Sequence, residues 1–134
     1  MGESNFYKDN FSQDSLYKFQ SDAIKKVADE GSCVFVGRTA DYVLRDYKNT
    51  VSVFITANID QRIKAVCKRH NFDRATARKY IHSQEEARAS YYNYYTGKTW
   101  GHSESYDLCI NSSLLGLEGT ELFIAEFIKK RFGL

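Results

Sequence analysis

The chain has 134 residues, of which 43% are hydrophobic and 27% are charged, and its formal net charge at pH 7 is +2. This composition is typical of one globular domain and argues against a disordered segment. The small net charge points to no nucleic-acid partner, and no apolar run approaches the roughly 20 residues of a membrane span. Because no apolar stretch of a signal peptide follows Met1, we expect a cytoplasmic protein.

The cysteines are Cys33, Cys67 and Cys109, an odd number at wide spacing. They predict reduced thiols and argue against a disulfide framework or a zinc site. Cys33 and Cys109 lie inside apolar, strand-like runs, so we expect both to be buried in the core. The three histidines have no metal-ligand spacing, and the sequence predicts no metal site.

The N-terminal third of the chain predicts a leader, a helix, a strand and a short helix. Residues 1–14 are polar and aperiodic, which indicates a loose leader. In residues 15–31 apolar side chains recur at helical spacing. The apolar run at residues 33–36 predicts a buried strand of a parallel sheet, and a short helix at residues 40–47 follows it.

The remainder continues the alternation of strands and helices. A second apolar run, residues 51–56, predicts a strand, and an amphipathic helix follows it. Asp73 can cap a strongly charged helix that leads into a tyrosine-rich stretch. A third strand, residues 106–110, ends in Asn111-Ser112-Ser113 and precedes a final helix. This order predicts an α/β fold with a parallel sheet.

The charged helix and the tyrosine-rich stretch, about residues 73–105, predict a lid over phosphate groups. Arg74, Arg78, Arg88 and Lys98 distribute mobile positive charge along it, and phosphoryl transfer needs such charge. The alternative is a solvated helix face, which we favour for Arg74 and Arg78. A thin apolar seam predicts that this helix is a mobile cover outside the core.

Aromatic residues cluster at the end of this segment, where they could stack bases, pack internally or form a subunit contact. They are Tyr91, Tyr92, Tyr94, Tyr95 and Trp100.

The tripeptide Gly97-Lys98-Thr99 invites comparison with the end of a nucleotide-binding P-loop. A P-loop needs a glycine five residues before this Gly-Lys pair, because its backbone passes through positive-φ conformations to aim N–H groups at phosphates. Tyr92 occupies that position. Residues 31–39 give a second near match, with one residue too many between the glycines. The 134 residues therefore contain no P-loop pattern.

Polar residues follow the first predicted strand, at the edge of a parallel sheet where ligands gather. Gly37 allows close approach of the backbone, Arg38 offers a bidentate fork for phosphate, and Asp41 can accept from a base or sugar. In the alternative interpretation, Gly37 only turns the chain and Arg38 pairs with Asp41 or Asp46.

Three motifs, in this order, resemble the cytidylate kinase-like family. They are Ser-Cys-Val-Phe-Val-Gly-Arg-Thr-Ala-Asp-Tyr-Val-Leu at residues 32–44, Ala-Arg-Ala-Ser-Tyr-Tyr-Asn-Tyr-Tyr-Thr-Gly-Lys-Thr-Trp-Gly at 87–101 and Tyr-Asp-Leu-Cys-Ile-Asn-Ser-Ser at 106–113. The likeness runs from about Leu16 to the C-terminus. It implies a P-loop nucleoside monophosphate kinase fold over residues 15–134, with a helical lid.

The resemblance also implies an activity and its residues. Members transfer the γ-phosphoryl group of ATP to a nucleotide such as CMP, with magnesium. By motif, Arg38 and Asp41 would hold the acceptor nucleotide, Arg88 would be a catalytic lid arginine, and Lys98 a second lid candidate. Cytidylate kinases carry aspartate directly after this Gly-Arg, whereas this chain has Thr39. The resemblance therefore leaves the acceptor base open.

The first strand and the P-loop of the family have no counterpart in the sequence. In the family's sheet that strand lies between those predicted at residues 33–36 and 51–56. These two would face a gap of roughly 10 Å with unpaired backbone groups. Each buried unpaired group costs about 1–3 kcal/mol. Three outcomes are open: the strands close up, a second chain inserts a strand, or the chain is a fragment of a longer product.

The sequence thus predicts a partial, cytidylate kinase-like phosphotransferase that is inactive alone because the phosphate site for ATP is missing. Its expected partners are a nucleoside monophosphate and a homo-oligomer or strand-donating chain. One alternative is a competent kinase whose phosphate site comes from another polypeptide. The other is a non-catalytic nucleotide-binding or dimerisation module that uses residues 91–100 as its contact.

Overall fold

The structure is a computed structural model that describes the backbone of residues 2–134 and the side chains of residues 12–134. The chain divides into two compact units, Met1–Thr50 and Val51–Leu134, here called unit 1 and unit 2. Unit 1 contains α1 (Gly2–Glu30) and α2 (Ala40–Val43). Unit 2 contains β1 (Val53–Thr56), α3 (Ile59–His70), α4 (Arg74–Thr96), a 3₁₀ turn (Ser103–Ser105), β2 (Leu108–Asn111) and α5 (Ser112–Phe132).

Unit 1 has a small apolar core. Ile24 of α1 packs against Ala40, Val43 and Leu44 at the start and end of α2. The helix predicted over residues 15–31 is present as part of α1. The predicted leader, residues 1–14, falls mainly on residues whose side chains lie outside the described part of the chain, and that boundary stays a prediction.

The strand predicted at residues 33–36 is wrong. These residues form no helix or strand, and the side chains of Val34 and Val36 are each 91% exposed. The sheet consists of β1 and β2 within the part of the chain that the structure describes. An apolar run becomes a buried strand only where a neighbouring strand pairs with its backbone, and residues 33–36 have none in this sheet.

Unit 2 contains the parallel sheet that the sequence predicts, which confirms the α/β class. β1 and β2 pair in parallel, with Val53 opposite Leu108 and Thr56 opposite Asn111. Both strands are shorter than predicted. The carboxylate of Asp107 accepts hydrogen bonds from the backbone N–H and the hydroxyl of Ser52, which fixes the register at the start of the pair.

A helical hairpin of α3 and α4 forms the core of unit 2. Ile63 and Val66 of α3 pack against Ala77 and Ile81 of α4, and Ile63 and Ala77 are 0% exposed. The prediction that the charged helix lies outside the core is therefore wrong for these two residues of α4. Its thin apolar seam is enough, because an alanine and an isoleucine one turn apart let a second helix approach closely.

Several apolar side chains of α5 lie on the surface. Leu114 is 77% exposed and Leu117 is 83% exposed, while Ser112 and Thr120 are buried. Gly116, with φ 74° and ψ 172°, interrupts the helix between these leucines. The kink follows from a conformation that only glycine adopts readily.

Both cysteines that we expect in the core are instead exposed. Cys33 lies in the unpaired segment of unit 1, and Cys109 lies on β2 in a sheet of two strands. So narrow a sheet leaves part of its surface uncovered. None of the helices described within residues 2–134 is long and apolar enough to cross a membrane.

Candidate functional site

The strongest local feature of unit 1 is a left-handed turn at residues 37–39. Gly37, Arg38 and Thr39 have φ angles of 72°, 57° and 55° in succession. For residues other than glycine this region costs of order 1–3 kcal/mol, and it persists only where the surroundings hold it. Such strained positions cluster at functional sites, so the turn is a candidate ligand site.

Contacts around Thr39 hold the turn in place. Its side chain is 4% exposed, and its hydroxyl lies 2.9 Å from the hydroxyl of Tyr17 on α1. Its carbonyl accepts from the N–H groups of Tyr42 and Val43, at 3.0 and 2.9 Å, and so starts α2. The buried threonine anchors the turn, while the neighbouring arginine is left on the surface.

Arg38 is exposed, and its guanidinium has no hydrogen bond or ion pair with any described side chain or backbone group. The alternative in which Arg38 pairs with Asp41 or Asp46 is therefore not found. Asp41 is half-buried in the first turn of α2 and takes part in contacts of its own. The turn thus presents the five N–H donors of this guanidinium to solvent.

An open apolar groove of about 280 Å³ lies beside Arg38. Phe19 and Ile24 of α1 line one side of it, and Phe35 and Val36 line the other. Its size is close to the lower end of the range for small-molecule sites, about 300–1,000 Å³. Arg38 is also among the residues that line this groove.

In unit 2 a second set of charged side chains lies near the carboxyl end of β1. The Nε of Arg62 on α3 donates to the carbonyl of Ala57, which directly follows β1, at 3.0 Å. One terminal nitrogen of Arg62 forms an ion pair with Glu85 of α4. Arg88 lies one turn further along α4, is exposed, and makes no ion pair with described residues.

Lys98 has a local structural contact. Its ammonium is half-buried and donates to the carbonyl of Ser105 at 2.9 Å, which ties the chain after α4 to the 3₁₀ turn. Its own N–H donates to the hydroxyl of Thr96, at 2.9 Å, where α4 ends. The ammonium would have to leave this carbonyl in order to reach a phosphate.

Part of the aromatic cluster consists of internal packing. The ring of Phe54 on β1 meets Trp100 edge to face at 5.3 Å and Tyr106 at 4.9 Å. Tyr92 is 5% exposed and stacks with Tyr106 at 6.1 Å. Tyr94, by contrast, is 68% exposed. Two of the five predicted aromatic contacts, Tyr92 and Trp100, therefore stabilise unit 2 itself.

A model of the cytidylate kinase-like family matches residues 1–114. The chain belongs to the cytidylate kinase-like family. The match begins before Leu16, where we expected the likeness to start, and it includes both the left-handed turn and the charged face of α4.

A solved structure is also similar to this family member. It is the crystal structure of an uncharacterised protein from Eubacterium ventriosum ATCC 27560, 31% identical in sequence, with a TM-score of 0.83. The alignment covers 86% of this chain and 65% of that one, so the chain spans about two thirds of that protein's length. No curated protein matches the chain.

The four predicted site residues of this cytidylate kinase-like protein fall into two pairs. Arg38 and Asp41 belong to unit 1, where both lie at the left-handed turn and the start of α2. Arg88 and Lys98 belong to unit 2, on α4 and just after it. Their roles remain predictions.

The structure brings together polar residues at the ends of the strands to which the sequence analysis assigned no role. Asn58 donates its N–H to the Ser113 hydroxyl at 2.8 Å, and its side-chain oxygen accepts from Asn111 at 2.9 Å. The Ser112 hydroxyl donates to the carbonyl of Thr56 at 3.0 Å. Together with Arg62, this network connects the carboxyl ends of both strands to α3 and α5. In the sequence, the position of Asn58 shortly after the strand predicted at residues 51–56 could have indicated that it belongs to this network.

Proposed function

We propose that this cytidylate kinase-like protein binds a nucleoside monophosphate, such as CMP, through unit 1. The observation that carries the proposal is the left-handed turn at residues 37–39, which is held by the buried Thr39 and presents the unpartnered guanidinium of Arg38. Two consecutive strained residues other than glycine are costly, and a binding arginine held in one orientation is a reason to keep them.

The chemistry of each residue follows from its position. The planar fork of Arg38 matches two oxygens of a phosphate and can bind them bidentately. The groove between α1 and residues 35–36 accepts the base through apolar contact. Asp41, in the first turn of α2, is the acceptor for an amino or hydroxyl group of the nucleoside. With Thr39 in place of the aspartate of cytidylate kinases, the acceptor base is open.

Transfer of phosphate from ATP is the family activity, and the roles in unit 2 belong to it. Arg88, exposed on α4, would offset charge on the transferred phosphoryl group. Lys98 would do so only after its ammonium leaves Ser105. No three His, Cys, Asp or Glu side chains in residues 12–134 come together as a metal site, so the proposal assigns no ligand for Mg²⁺ to this chain.

We further propose that the 134-residue chain does not transfer phosphate by itself. No stretch of its sequence has the glycine spacing that curls a backbone around the phosphates of ATP. Activity would then need the P-loop of another chain, in the form of a homo-oligomer or of a partner that adds a strand beside β1. A cytoplasmic location, with its supply of ATP and nucleotides, is part of this proposal.

The test is CMP binding and phosphoryl transfer by the purified chain. Binding is measured by calorimetry with CMP, UMP and AMP, and transfer with ATP and Mg²⁺ added. We expect binding without turnover, and a loss of about 10- to 100-fold in CMP affinity for Arg38→Ala, because hydrogen bonds to charged groups contribute about 1.5–3 kcal/mol. Lys48→Ala removes an equal charge from the same unit and controls for net charge.

The opposite results would be equally clear. Turnover by the chain alone, absent in Arg38→Ala, would show that another backbone segment holds the ATP phosphates. Equal affinities of Arg38→Ala and Lys48→Ala for CMP would refute the binding role of the left-handed turn. If no nucleotide binds while light scattering shows a dimer, the dimerisation module would be the better interpretation.

A further inference from the structure

The groove of unit 1 is lined by apolar residues and glycine apart from two polar side chains, Gln20 and Arg38. Gln20 lies on α1 one turn before Ile24, which is 9% exposed, and is itself half-buried. Small-molecule sites are lined mainly by apolar side chains, and a few polar groups fix the orientation and the identity of the ligand. In this groove the selection of a ligand therefore depends on Gln20 and Arg38.

The residues next to Arg38 offer no further polar side chain to the groove. Thr39 is 4% exposed, and its hydroxyl lies 2.9 Å from the hydroxyl of Tyr17. Asp41 is not among the residues that line the groove, which leaves it the hydroxyl groups of the sugar. With Arg38 assigned to the phosphate, Gln20 is the polar side chain of the groove that remains for the base.

We propose that Gln20 recognises the base of the bound nucleotide through its side-chain amide, and that the groove accepts cytosine and uracil with similar affinity. The inference rests on the proposed function, because it concerns the same groove. It adds a specificity residue that is not among the predicted site residues. It also defines the class of ligand, which is a pyrimidine nucleoside monophosphate with an amino group or a carbonyl group at C4 of the ring.

The physical basis is the double character of an amide. Cytosine has an amino group at C4, which donates, and uracil has a carbonyl oxygen at the same position, which accepts. A half-turn of the glutamine amide exchanges its N–H donors with its oxygen, so one side chain can pair with either base. Gln20 takes part in a contact of its own. An amide has two donor hydrogens and an acceptor oxygen with two lone pairs, so a base can use groups that this contact leaves.

The experiment is a calorimetric titration of the whole chain with CMP and with UMP, and the quantity compared is the ratio of the two dissociation constants. Both nucleotides carry the same sugar and phosphate, so the contribution of Arg38 cancels in this ratio. For wild type we expect the two constants to agree within about threefold, because the amide makes a similar hydrogen bond to either base.

Two substitutions of Gln20 separate recognition from packing. The carboxylate of Gln20→Glu accepts from the amino group of cytosine and repels the carbonyl oxygen of uracil, so we expect the ratio to shift about tenfold in favour of CMP. Gln20→Met keeps the length of the side chain without its hydrogen-bonding groups. We expect it to weaken the binding of both nucleotides by about tenfold and to leave the ratio unchanged.

Gln13 provides the matched control. It is exposed on α1 about two turns before Gln20, on the same side of the helix, and does not line the groove. Gln13→Glu makes the same change in charge, and we expect it to leave the ratio unchanged. Circular dichroism checks that each variant is folded. An unchanged ratio in Gln20→Glu, or an equal shift in Gln13→Glu, would refute recognition by Gln20.

Cytidine and uridine separate this inference from the proposed function, because they lack the phosphate that Arg38 would bind. We expect both nucleosides to shift the NMR signals of the Gln20 amide, in wild type and in Arg38→Ala. If they do so while CMP binds no more tightly than cytidine, only the phosphate role of Arg38 is wrong. If CMP binds in an Arg38-dependent way without a shift of the Gln20 amide, only the role of Gln20 is wrong. Absence of binding by all four compounds would refute both proposals.

Discussion

Thr39 shows how one buried side chain can fix the conformation of its exposed neighbour. Its hydroxyl and carbonyl are both hydrogen-bonded, and these contacts keep Arg38 and Thr39 itself in the left-handed region. The strain of these two residues has to be offset by such contacts, because it would otherwise relax by rotation of the backbone. The bond to Tyr17 is the only one of them that a conservative side-chain replacement can remove without touching the turn.

We expect Tyr17→Phe to lower the free energy of unfolding by about 1 kcal/mol. The substitution leaves the hydroxyl of the buried Thr39 without this partner, and hydrogen bonds of this kind contribute about 0.5–1.5 kcal/mol. Urea denaturation followed by circular dichroism measures the change. Tyr42→Phe is the control, since no described group hydrogen-bonds to the Tyr42 hydroxyl and its ring keeps its contact with Arg45. Equal losses for both variants would contradict the anchoring role of Thr39.

At this scale the prediction that Cys33 is buried is wrong, and the role of Arg38 in phosphate binding stays a prediction. The type of Arg38 suggests a phosphate ligand, because the guanidinium offers two parallel donors, but the residue type alone does not establish that role. Burial of a cysteine depends on the elements around it, and the run Cys-Val-Phe-Val has the same composition whether or not a strand lies beside it. Arg62 escaped notice for a related reason: its partner Glu85 is 23 positions away, on another helix.

Among the elements, α4 has the most clearly marked ends. It begins after Asp73, whose side chain accepts from the N–H of Thr76 at 2.7 Å, and it ends at Gly97 with φ 70°. The start was predicted from Asp73, because aspartate caps a helix start, whereas the sequence analysis did not place the end at Gly97, whose left-handed conformation suits that position. The tyrosines belong to the same continuous helix as the charged residues, and both this continuity and their burial became clear only from the structure.

The cap of α4 predicts a dependence of stability on acid pH. Hydrogen bonds from the hydroxyl and the N–H of Thr76 hold the pKa of Asp73 below its ordinary value of 3.8. A carboxyl group whose pKa is lower in the folded state stabilises the fold fully above pH 3.8, and this contribution is lost as the pH falls through the lower, folded pKa. We therefore expect wild type to lose the contribution of the cap below about pH 4.

Two variants measure this effect. Asp73→Ala removes the cap, and its deficit in stability relative to wild type should be constant near neutral pH and shrink below pH 4. Asp73→Asn keeps an acceptor oxygen but has no carboxyl group that can be protonated. Its stability should therefore exceed that of Asp73→Ala, and the difference in stability between these two variants should not shrink below pH 4. Thermal denaturation between pH 2.5 and 7 records all three proteins. A deficit of Asp73→Ala that is independent of pH would disprove the role of the ionised cap.

The predicted helices and strands were correct where the local sequence pattern determines the secondary structure. The two strands that pair, the helices between them and the final helix are present in the predicted order. Pairing is a property of two segments, so residues 33–36 were misassigned although their pattern resembles that of β1. The same reasoning applies to Ala77, whose burial depends on how closely α3 approaches and not on hydrophobicity alone.

On the scale of the whole molecule, the described residues form two separate apolar clusters. Ile24, Ala40, Val43 and Leu44 belong to unit 1, and Ile63, Val66, Ala77 and Ile81 to unit 2. Each is small for a domain core, and large apolar side chains such as Val34, Val36 and Leu117 are exposed.

Two apolar clusters in two units predict two unfolding transitions. Trp100 is the single tryptophan and packs against Phe54 in unit 2, so its fluorescence reports on unit 2. Circular dichroism records helices of both units. Transitions recorded by different probes coincide only when a protein unfolds in one step. Because we expect the two units to unfold separately, the fluorescence and circular dichroism signals should have different urea midpoints, with the fluorescence transition at the higher urea concentration.

Ligands then distinguish the units. CMP at about 100 times its dissociation constant should raise the stability of the unit that binds it by about 2.7 kcal/mol. Arg38 belongs to unit 1, so we expect CMP to shift the unfolding transition of unit 1 to higher urea concentration. This shift should appear in circular dichroism and be absent from the fluorescence of Trp100, which reports on unit 2. A shift of both transitions together, or coincident transitions without ligand, would mean that the 134 residues unfold as one cooperative body. In that case CMP binding at Arg38 would also raise the stability of the elements of unit 2, including α4.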